Sequence, residues 1–117
     1  MEMIIVKSKI KEFSGDCNVS GDFAEELNKF AVEQVKLAAK RAKANNRKTI
    51  QAKDVFVGTI NPKTLVVVKS KIKDVVKEGN VSGDFGEALN EVLVWFINQA
   101  CARAEANGRK TVSAKDL

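Results

Sequence analysis

Two stretches of the chain carry apolar side chains at the three- and four-residue spacing of an amphipathic helix. In each stretch the apolar positions form one continuous stripe. The first stripe comprises Phe23, Leu27, Phe30, Ala31, Val35, Ala38 and Ala42, and the second comprises Phe85, Leu89, Val92, Leu93, Phe96, Ile97, Ala100 and Ala104. The pattern predicts two long helices, each with one buried face.

Both long helices have predicted start and stop signals. At each start, an aspartate that can cap the helix is followed three residues later by a glutamate, which is the capping-box pattern. The pairs are Asp22 with Glu25 and Asp84 with Glu87. Asn45–Asn46 and Asn107–Gly108 can take the left-handed conformation that ends a helix. A helix of about 22 residues is roughly 33 Å long. It needs an equally long partner, because its short neighbours cannot cover the stripe.

Short elements precede each long helix. Val6, Ile10 and Phe13 lie at helical spacing, and so do their counterparts Val68, Ile72 and Val75. The alternating lysines of the same segments are also compatible with a strand, so helix and strand both stay open.

Shorter elements also follow each long helix. An extended run at Lys48–Ile50 precedes one or two turns over Ala52–Val57. The second copy of this region ends at Leu117, and Ser113 with Asp116 can cap its single turn.

The chain contains an internal duplication, in which one sequence unit occurs twice. With an offset of 62 positions, residues 3–55 align without a gap on residues 65–117, and 27 of these 53 pairs are identical. The segment Gly58–Thr64, which holds the only proline, Pro62, is the predicted linker between a first half at 1–57 and a second half at 65–117. Because a half of about 55 residues has a marginal core alone, we expect a single domain in which the two halves pack as an intramolecular dimer.

The residues at the joints resemble those of archaeal histones. Val19-Ser20-Gly21-Asp22 is similar to the Val-Ser-x-Asp that opens their long helix. The segments 47–55 and 109–117, each beginning Arg-Lys-Thr and continuing to Ala-Lys-Asp, are similar to their second loop. The resemblance covers nearly the whole chain. It implies an all-α histone fold, present as two tandem copies that form a handshake pseudo-dimer.

In that family the first loop of one half lies beside the second loop of the other, and such loop pairs bind DNA phosphates. The resemblance therefore implies that residues 17–20 lie near 109–112, and residues 80–82 near 47–50. The implied DNA-binding residues are Lys48, Thr49, Lys110, Thr111, Asn18, Asn80, Ser20 and Ser82. The lysines of the short helices are either further DNA contacts or a solvated face: Lys7, Lys9, Lys11, Lys69, Lys71 and Lys73.

The resemblance also implies a structural clamp in each second loop. Arg47 with Asp54, and Arg109 with Asp116, would hold the loop in shape, because a bidentate arginine–carboxylate pair constrains geometry well. DNA contact is the second role open to these arginines. Two departures from the family limit what is expected of the DNA contact. Asn18 and Asn80 stand where many archaeal histones have an arginine that enters the minor groove, and both terminal helices are truncated. Bending or coating DNA is therefore expected, rather than long nucleosome-like wrapping.

One position differs sharply between the copies. Glu33 of the first long helix corresponds to Trp95 of the second, about 100° off the buried stripe. Trp95 either covers the linker or a short helix, or forms a patch for self-association or another protein.

Charge and composition narrow the function. A net charge of +5 and a pI near 9.3 suit a nucleic-acid partner without proving one. With no histidine, no tyrosine and no phosphate-binding glycine loop, neither an enzyme, a zinc site nor a cofactor is expected. Cys101 is predicted in the core and Cys17 in a loop, both as free thiols in a reducing cytosol.

The leading hypothesis is sequence-independent binding of double-stranded DNA, with nucleoid compaction or bending, in the cytoplasm of a bacterium or archaeon. The alternative is a histone-fold protein-interaction scaffold in a transcription-type complex without direct DNA binding. No signal peptide, membrane association or small-molecule substrate is expected.

Overall fold

The computed structural model describes residues 3–56, 58–61, 64–76 and 79–117. The first set of elements is α1 (Lys7–Ile10), β1 (Asn18–Val19), α2 (Gly21–Ala44), β2 (Thr49–Ile50) and a 3₁₀ helix (Ala52–Asp54). The second set repeats this order as α3 (Lys69–Val75), β3 (Asn80–Val81), α4 (Phe85–Ala106), β4 (Thr111–Val112) and a second 3₁₀ helix (Ala114–Asp116). The lysine-rich segments are helices, so the strand alternative for them is wrong. Pro62 of the predicted linker lies outside the described residues, as do Met1, Glu2 and Val57.

The start of the first long helix differs from the prediction. Ser20, not Asp22, is the N-cap of α2, and its hydroxyl oxygen accepts a hydrogen bond of 3.3 Å from the amide of Phe23. Serine and aspartate cap equally well, so the local pattern could not decide between two neighbours. Asp22 instead accepts hydrogen bonds from the Ser20 hydroxyl and, at 3.4 Å, from the amide of Ala114 in the second half.

At the start of α4, Asp84 does occupy the N-cap position, but its side chain makes no capping hydrogen bond. Its predicted partner Glu87 forms a 3.1 Å ion pair with Lys69 instead. The capping box predicted there is therefore wrong. At the other ends of the long helices, the left-handed Asn46 (φ 60°) and Gly108 (φ 70°) confirm the predicted stop signals.

The core lies between α2 and α4, which pack against each other along their apolar stripes. Phe23, Leu27, Phe85 and Leu89 are fully buried, and burying such a side chain stabilises the fold by about 2 kcal/mol. The 3₁₀ helix of each half also contacts the long helix of the other half, so each short element covers a partner that is distant in sequence.

The segments that lead into the short helices are joined to each other. Ile5 and Val67 form an antiparallel bridge, flanked by a 2.7 Å hydrogen bond from the Val6 amide to the Val66 carbonyl. Two buried asparagines anchor this junction. The Asn28 side-chain oxygen accepts from the Ile4 amide at 2.8 Å, and the Asn90 side-chain oxygen accepts from the Val66 amide at 2.7 Å.

The cysteines belong to different halves and both are buried thiols. Cys101 lies on α4, as predicted, and Cys17 lies in the loop between α1 and β1. Among the described residues, no helix has the length and apolar character that crossing a membrane would require.

Candidate nucleic-acid interface

The first loop of one half pairs with the second loop of the other half. β1 runs parallel to β4, with Asn18 opposite Thr111 and Val19 opposite Val112. The Asn18 amide donates a 2.7 Å hydrogen bond to the Lys110 carbonyl. We call the surface formed by residues 17–20 and 109–112 the first tip.

The same arrangement occurs at the other end of α2. β2 runs parallel to β3, with Thr49 opposite Asn80 and Ile50 opposite Val81. The Asn80 amide donates a 2.6 Å hydrogen bond to the Lys48 carbonyl. We call residues 47–50 and 79–82 the second tip. Each tip thus needs one strand from each half of the chain.

The tips expose cationic and hydroxyl groups above an apolar base. Lys48, Lys110 and Thr111 are exposed and Thr49 is half-buried. Ile50 is 2% exposed, and its counterpart Val112 is fully buried. In the described parts of the chain, neither lysine ammonium has a hydrogen-bonding or ionic partner, so both are available to a ligand from solution.

An arginine–carboxylate pair braces each second loop. The Arg47 guanidinium donates from Nη1 to Asp54 Oδ2 at 2.9 Å and from Nη2 to Oδ1 at 2.6 Å. Arg109 and Asp116 repeat this at 2.8 and 2.5 Å. Arg47 also donates to the Thr49 carbonyl at 3.2 Å, so the pair holds the strand that carries this threonine.

The carboxylates of these pairs are buried and ionised. Hydrogen bonding from Arg47 holds the pKa of Asp54 below its usual value, although burial alone would raise it. Hydrogen bonding from Arg109 lowers the pKa of Asp116 in the same way. The amides of Gln51 and Ser113 each donate to the carboxylate at 2.8 Å and contribute to the lowered pKa.

The lysines of the short helices fall into two groups. Lys11 donates to the carbonyls of Gly15 and Cys17, at 3.1 and 2.7 Å, and Lys73 donates to the carbonyl of Gly79. These two side chains therefore shape the loops that lead to the tips.

The other lysines of these segments differ in their exposure and in their partners. Lys9 pairs with Glu12 at 3.4 Å and Lys69 with Glu87 at 3.1 Å, both on the surface. Lys7 is exposed and has no ionic partner in the described ranges. Lys71 is half-buried and takes part in the interactions of the fold.

The comparison with solved structures identifies the architecture. The chain superposes on the crystal structure of the histone from Methanopyrus kandleri with a TM-score of 0.68, over 96% of this chain and 89% of that one, at 18% sequence identity. The chain has the histone fold. The predicted resemblance to archaeal histones is confirmed at this level, although no protein-family model and no curated protein sequence matches the chain.

Two residues that brace the tips of this histone fold were missed by the sequence analysis. Arg41 donates to the Asp54 backbone carbonyl at 2.5 Å, and Arg103 donates to the Asp116 carbonyl at 2.7 Å. The sequence did contain a signal for them, because both copies have an arginine at this position of the unit. The same signal marked Asn28 and Asn90, the polar residues buried under the junction of the halves.

Trp95 stands apart from the tips. Its side chain is 56% exposed, and its ring lies edge-on to Phe96 at 5.0 Å, which in turn contacts Phe30 across the helix pair at 4.3 Å. Beside it an open pocket of about 450 Å³ is lined by Phe56, Glu91, Val92, Val94, Trp95 and Asn98. Trp95 therefore keeps more than half of the solvent exposure of a free tryptophan residue.

Proposed function

We propose that this protein binds double-stranded DNA without reading its sequence and bends or compacts it as a nucleoid protein of the cytoplasm. The observation that carries the proposal is the pair of braced tips, each with one exposed lysine beside one threonine, and with no competing partner for either ammonium group among the described residues. Lysine neutralises a phosphate as a point charge, and threonine donates through its hydroxyl or its amide. Contacts of this kind position a protein on the duplex without distinguishing base pairs.

The proposal includes a handshake pseudo-dimer formed within one chain and one domain. Its support is the strand pairing, β1 with β4 and β2 with β3, which joins residues 93 positions apart in the first tip and 31 positions apart in the second. Two separate halves would each leave both of their loops unpaired.

The spacing of the tips suits one helical turn of DNA. The first tip directly precedes α2 and the second directly follows it, and a helix of 24 residues is about 36 Å long at 1.5 Å per residue. One turn of B-form DNA covers about 34–36 Å. Two contacts at this separation meet the same face of the duplex, so binding at both favours a bend toward the protein.

The extent of DNA compaction depends on how well copies of the protein can stack on one another. The 3₁₀ helix that follows α2 has three residues, which leaves little surface for such stacking. Asn18 and Asn80 carry no charge into the minor groove. We therefore propose local bending or coating of DNA, with contacts from Lys48, Thr49, Lys110 and Thr111 as the core of the interface.

The experiment is a titration of random-sequence duplexes of several lengths, followed by fluorescence anisotropy at several salt concentrations. If four to six phosphates are contacted, log affinity should fall against log salt with a slope of roughly −4 to −5. The double variant Lys48→Glu/Lys110→Glu should lose most of the affinity and reduce the slope. Lys29→Glu/Lys36→Glu is the charge-matched control, because both lysines are exposed on α2 and lie outside the tips.

Circular dichroism should show that all variants keep their helix content. Salt-insensitive affinity, or a double variant that binds as tightly as the control, would overturn the proposal. In cells, retained function and unchanged partners after the same double substitution would favour the protein-interaction scaffold instead.

A second candidate function, self-association through α4, is favoured by the exposure of Trp95. The first copy has Glu33 at the equivalent position, so the fold does not require an aromatic side chain there. Glu91 and Asn98 flank Trp95 within about one helical turn on either side. Antiparallel pairing of two copies would therefore place each Trp95 against the α4 helix of the other copy.

Sedimentation of the wild type and of Trp95→Glu, which installs the residue of the first copy, tests this pairing. The wild type should form a dimer that the variant lacks. Two monomeric proteins would overturn it, and so would dimers of equal affinity.

A further inference from the structure

The two cysteines of the chain come from opposite halves and meet under the first tip. Cys17 is 2% exposed and Cys101 is 7% exposed. The Cys17 Sγ lies 3.9 Å from the Cys101 backbone oxygen and 3.7 Å from Glu105 Oε1. Two residues that are 84 positions apart in the chain are thus in contact in the fold.

Cys17 is held firmly in this place. Its amide donates to the Ser14 carbonyl at 3.0 Å, and its own carbonyl accepts from the Ser14 hydroxyl at 3.0 Å and from the Lys11 ammonium at 2.7 Å. Its partner is on the rigid backbone of α4. Ring closure between two residues that the fold already holds next to each other costs little additional ordering.

The second tip contains no such pair. With the offset of 62, Cys17 corresponds to Gly79 and Cys101 to Ala39. Since the copies share the fold at both places, the fold itself does not require a thiol at either position. The thiol pair is therefore a feature of the first tip alone.

We propose that Cys17 and Cys101 are a disulfide-forming site, oxidised by a low-molecular-weight disulfide. In a transient local opening that exposes Cys17, its thiolate attacks one sulfur of the small disulfide and releases one small thiolate, which leaves Cys17 in a mixed disulfide. The Cys101 thiolate then attacks the Cys17 sulfur and releases the second small thiolate. The two protein thiols lose two electrons to the small disulfide, and their two protons go to the released thiolates.

The order of the two steps follows from the surroundings of Cys101. Burial, together with a hydrogen bond involving Cys17, raises the pKa of the Cys101 thiol to about 12. A thiol that stays protonated is a poor nucleophile toward a reagent in solution. Inside the mixed disulfide the sulfur to be attacked belongs to a neighbouring residue, and this proximity offsets the small fraction of Cys101 thiolate. We therefore expect the mixed disulfide to form first at Cys17.

The bond would join the loop before β1 to the helix before β4. Both strands of the first tip would then be tied at their base, while the second tip stays as it is. This inference stands apart from the proposed DNA binding, since its test measures thiols and stability only.

The test incubates the folded wild-type chain with glutathione disulfide and follows intact mass and free thiols. We expect a loss of about 2 Da, with both thiols consumed and no adduct retained. The melting temperature of the purified product should rise by about 5 °C or more, and the rise should vanish on reduction. Cys17→Ala and Cys101→Ala, checked by circular dichroism for retained helix, should show neither change.

Two results would overturn the proposal. One is a folded chain that keeps both thiols, or that carries only glutathione adducts, while the denatured chain closes the bond. The other is a bond that forms in the folded chain but lowers the melting temperature, because the two sulfurs would then have been joined by distorting the fold.

Discussion

The carboxylate of Asp54 lies in the fork of the Arg47 guanidinium, with two hydrogen bonds of 2.9 and 2.6 Å. The side chain of Asp54 is 3% exposed, whereas that of Arg47 is 23% exposed. The acid is thus the buried member of the pair and depends on the arginine for its charge. The pair lies seven residues apart in the chain and closes the loop that carries Lys48 and Thr49.

We expect Asp54→Asn to destabilise the protein by about 2 kcal/mol, because hydrogen bonds to a buried charged group are lost while the shape is kept. Chemical denaturation measures this change. Asp74→Asn, on the exposed side of α3, is the matched control and should change the free energy of unfolding by less than about 0.5 kcal/mol. Equal effects of the two substitutions would contradict a structural role for the pair.

The same carboxylates predict how stability depends on pH. The folded-state pKa values of Asp54 and Asp116 lie below the unfolded value near 4. Their contribution is therefore fully present above about pH 5 and is lost as the pH falls below 4, because the unfolded chain takes up the protons first. Melting temperatures between pH 3 and pH 7 should fall at the acid end, and this fall should be smaller in Asp54→Asn.

Removal of the Lys11 ammonium should lower the stability of the fold, because this group donates hydrogen bonds to the carbonyls of Gly15 and Cys17. Lys11→Met keeps the aliphatic stem and removes both bonds, so the free energy of unfolding should fall by about 1 kcal/mol. Lys7→Met is the control, because Lys7 has no ionic partner among the described residues. If both variants unfold at the same denaturant concentration, the loop contacts of Lys11 contribute nothing.

Gly79 joins the two halves through a close approach of backbones. It has φ +92°, and a Cβ added there would lie 2.5 Å from the Lys48 carbonyl oxygen. We expect Gly79→Ala to cost more than about 1 kcal/mol, because a side chain is strained at this φ and also displaces the strand of the other half. Gly83→Ala, where an added Cβ meets open space, should be nearly neutral by the same denaturation assay. A neutral Gly79→Ala would show that the second tip tolerates separation of its strands.

Much of the fold was predictable because it depends on neighbours within a few residues. The apolar spacing predicted both long helices, and Asn46 and Gly108 predicted where they end. The recurrence of the unit at an offset of 62 predicted that each element occurs twice. The resemblance at the joints then implied the histone fold.

Prediction from the local sequence pattern failed where several neighbouring side chains could make the same interaction. Ser20 and Asp22 both suit the start of α2, and only the path of the backbone selects Ser20. Lys7 and Lys11 look alike in the sequence, yet only Lys11 lies within reach of the loop carbonyls. Choices between equivalent groups a few residues apart depend on distances that no spacing rule contains.

The sequence by itself determined the repeated unit, the lengths of its helices and the residue types that each loop presents. Only the tertiary structure decided that Cys17 meets Cys101 and that Gly79 meets Lys48. These contacts depend on how α2 packs against α4, which is a sum of many apolar contacts between distant residues. The spacing of apolar residues indicates which face of a helix is buried, but it does not indicate which residues pack against that face.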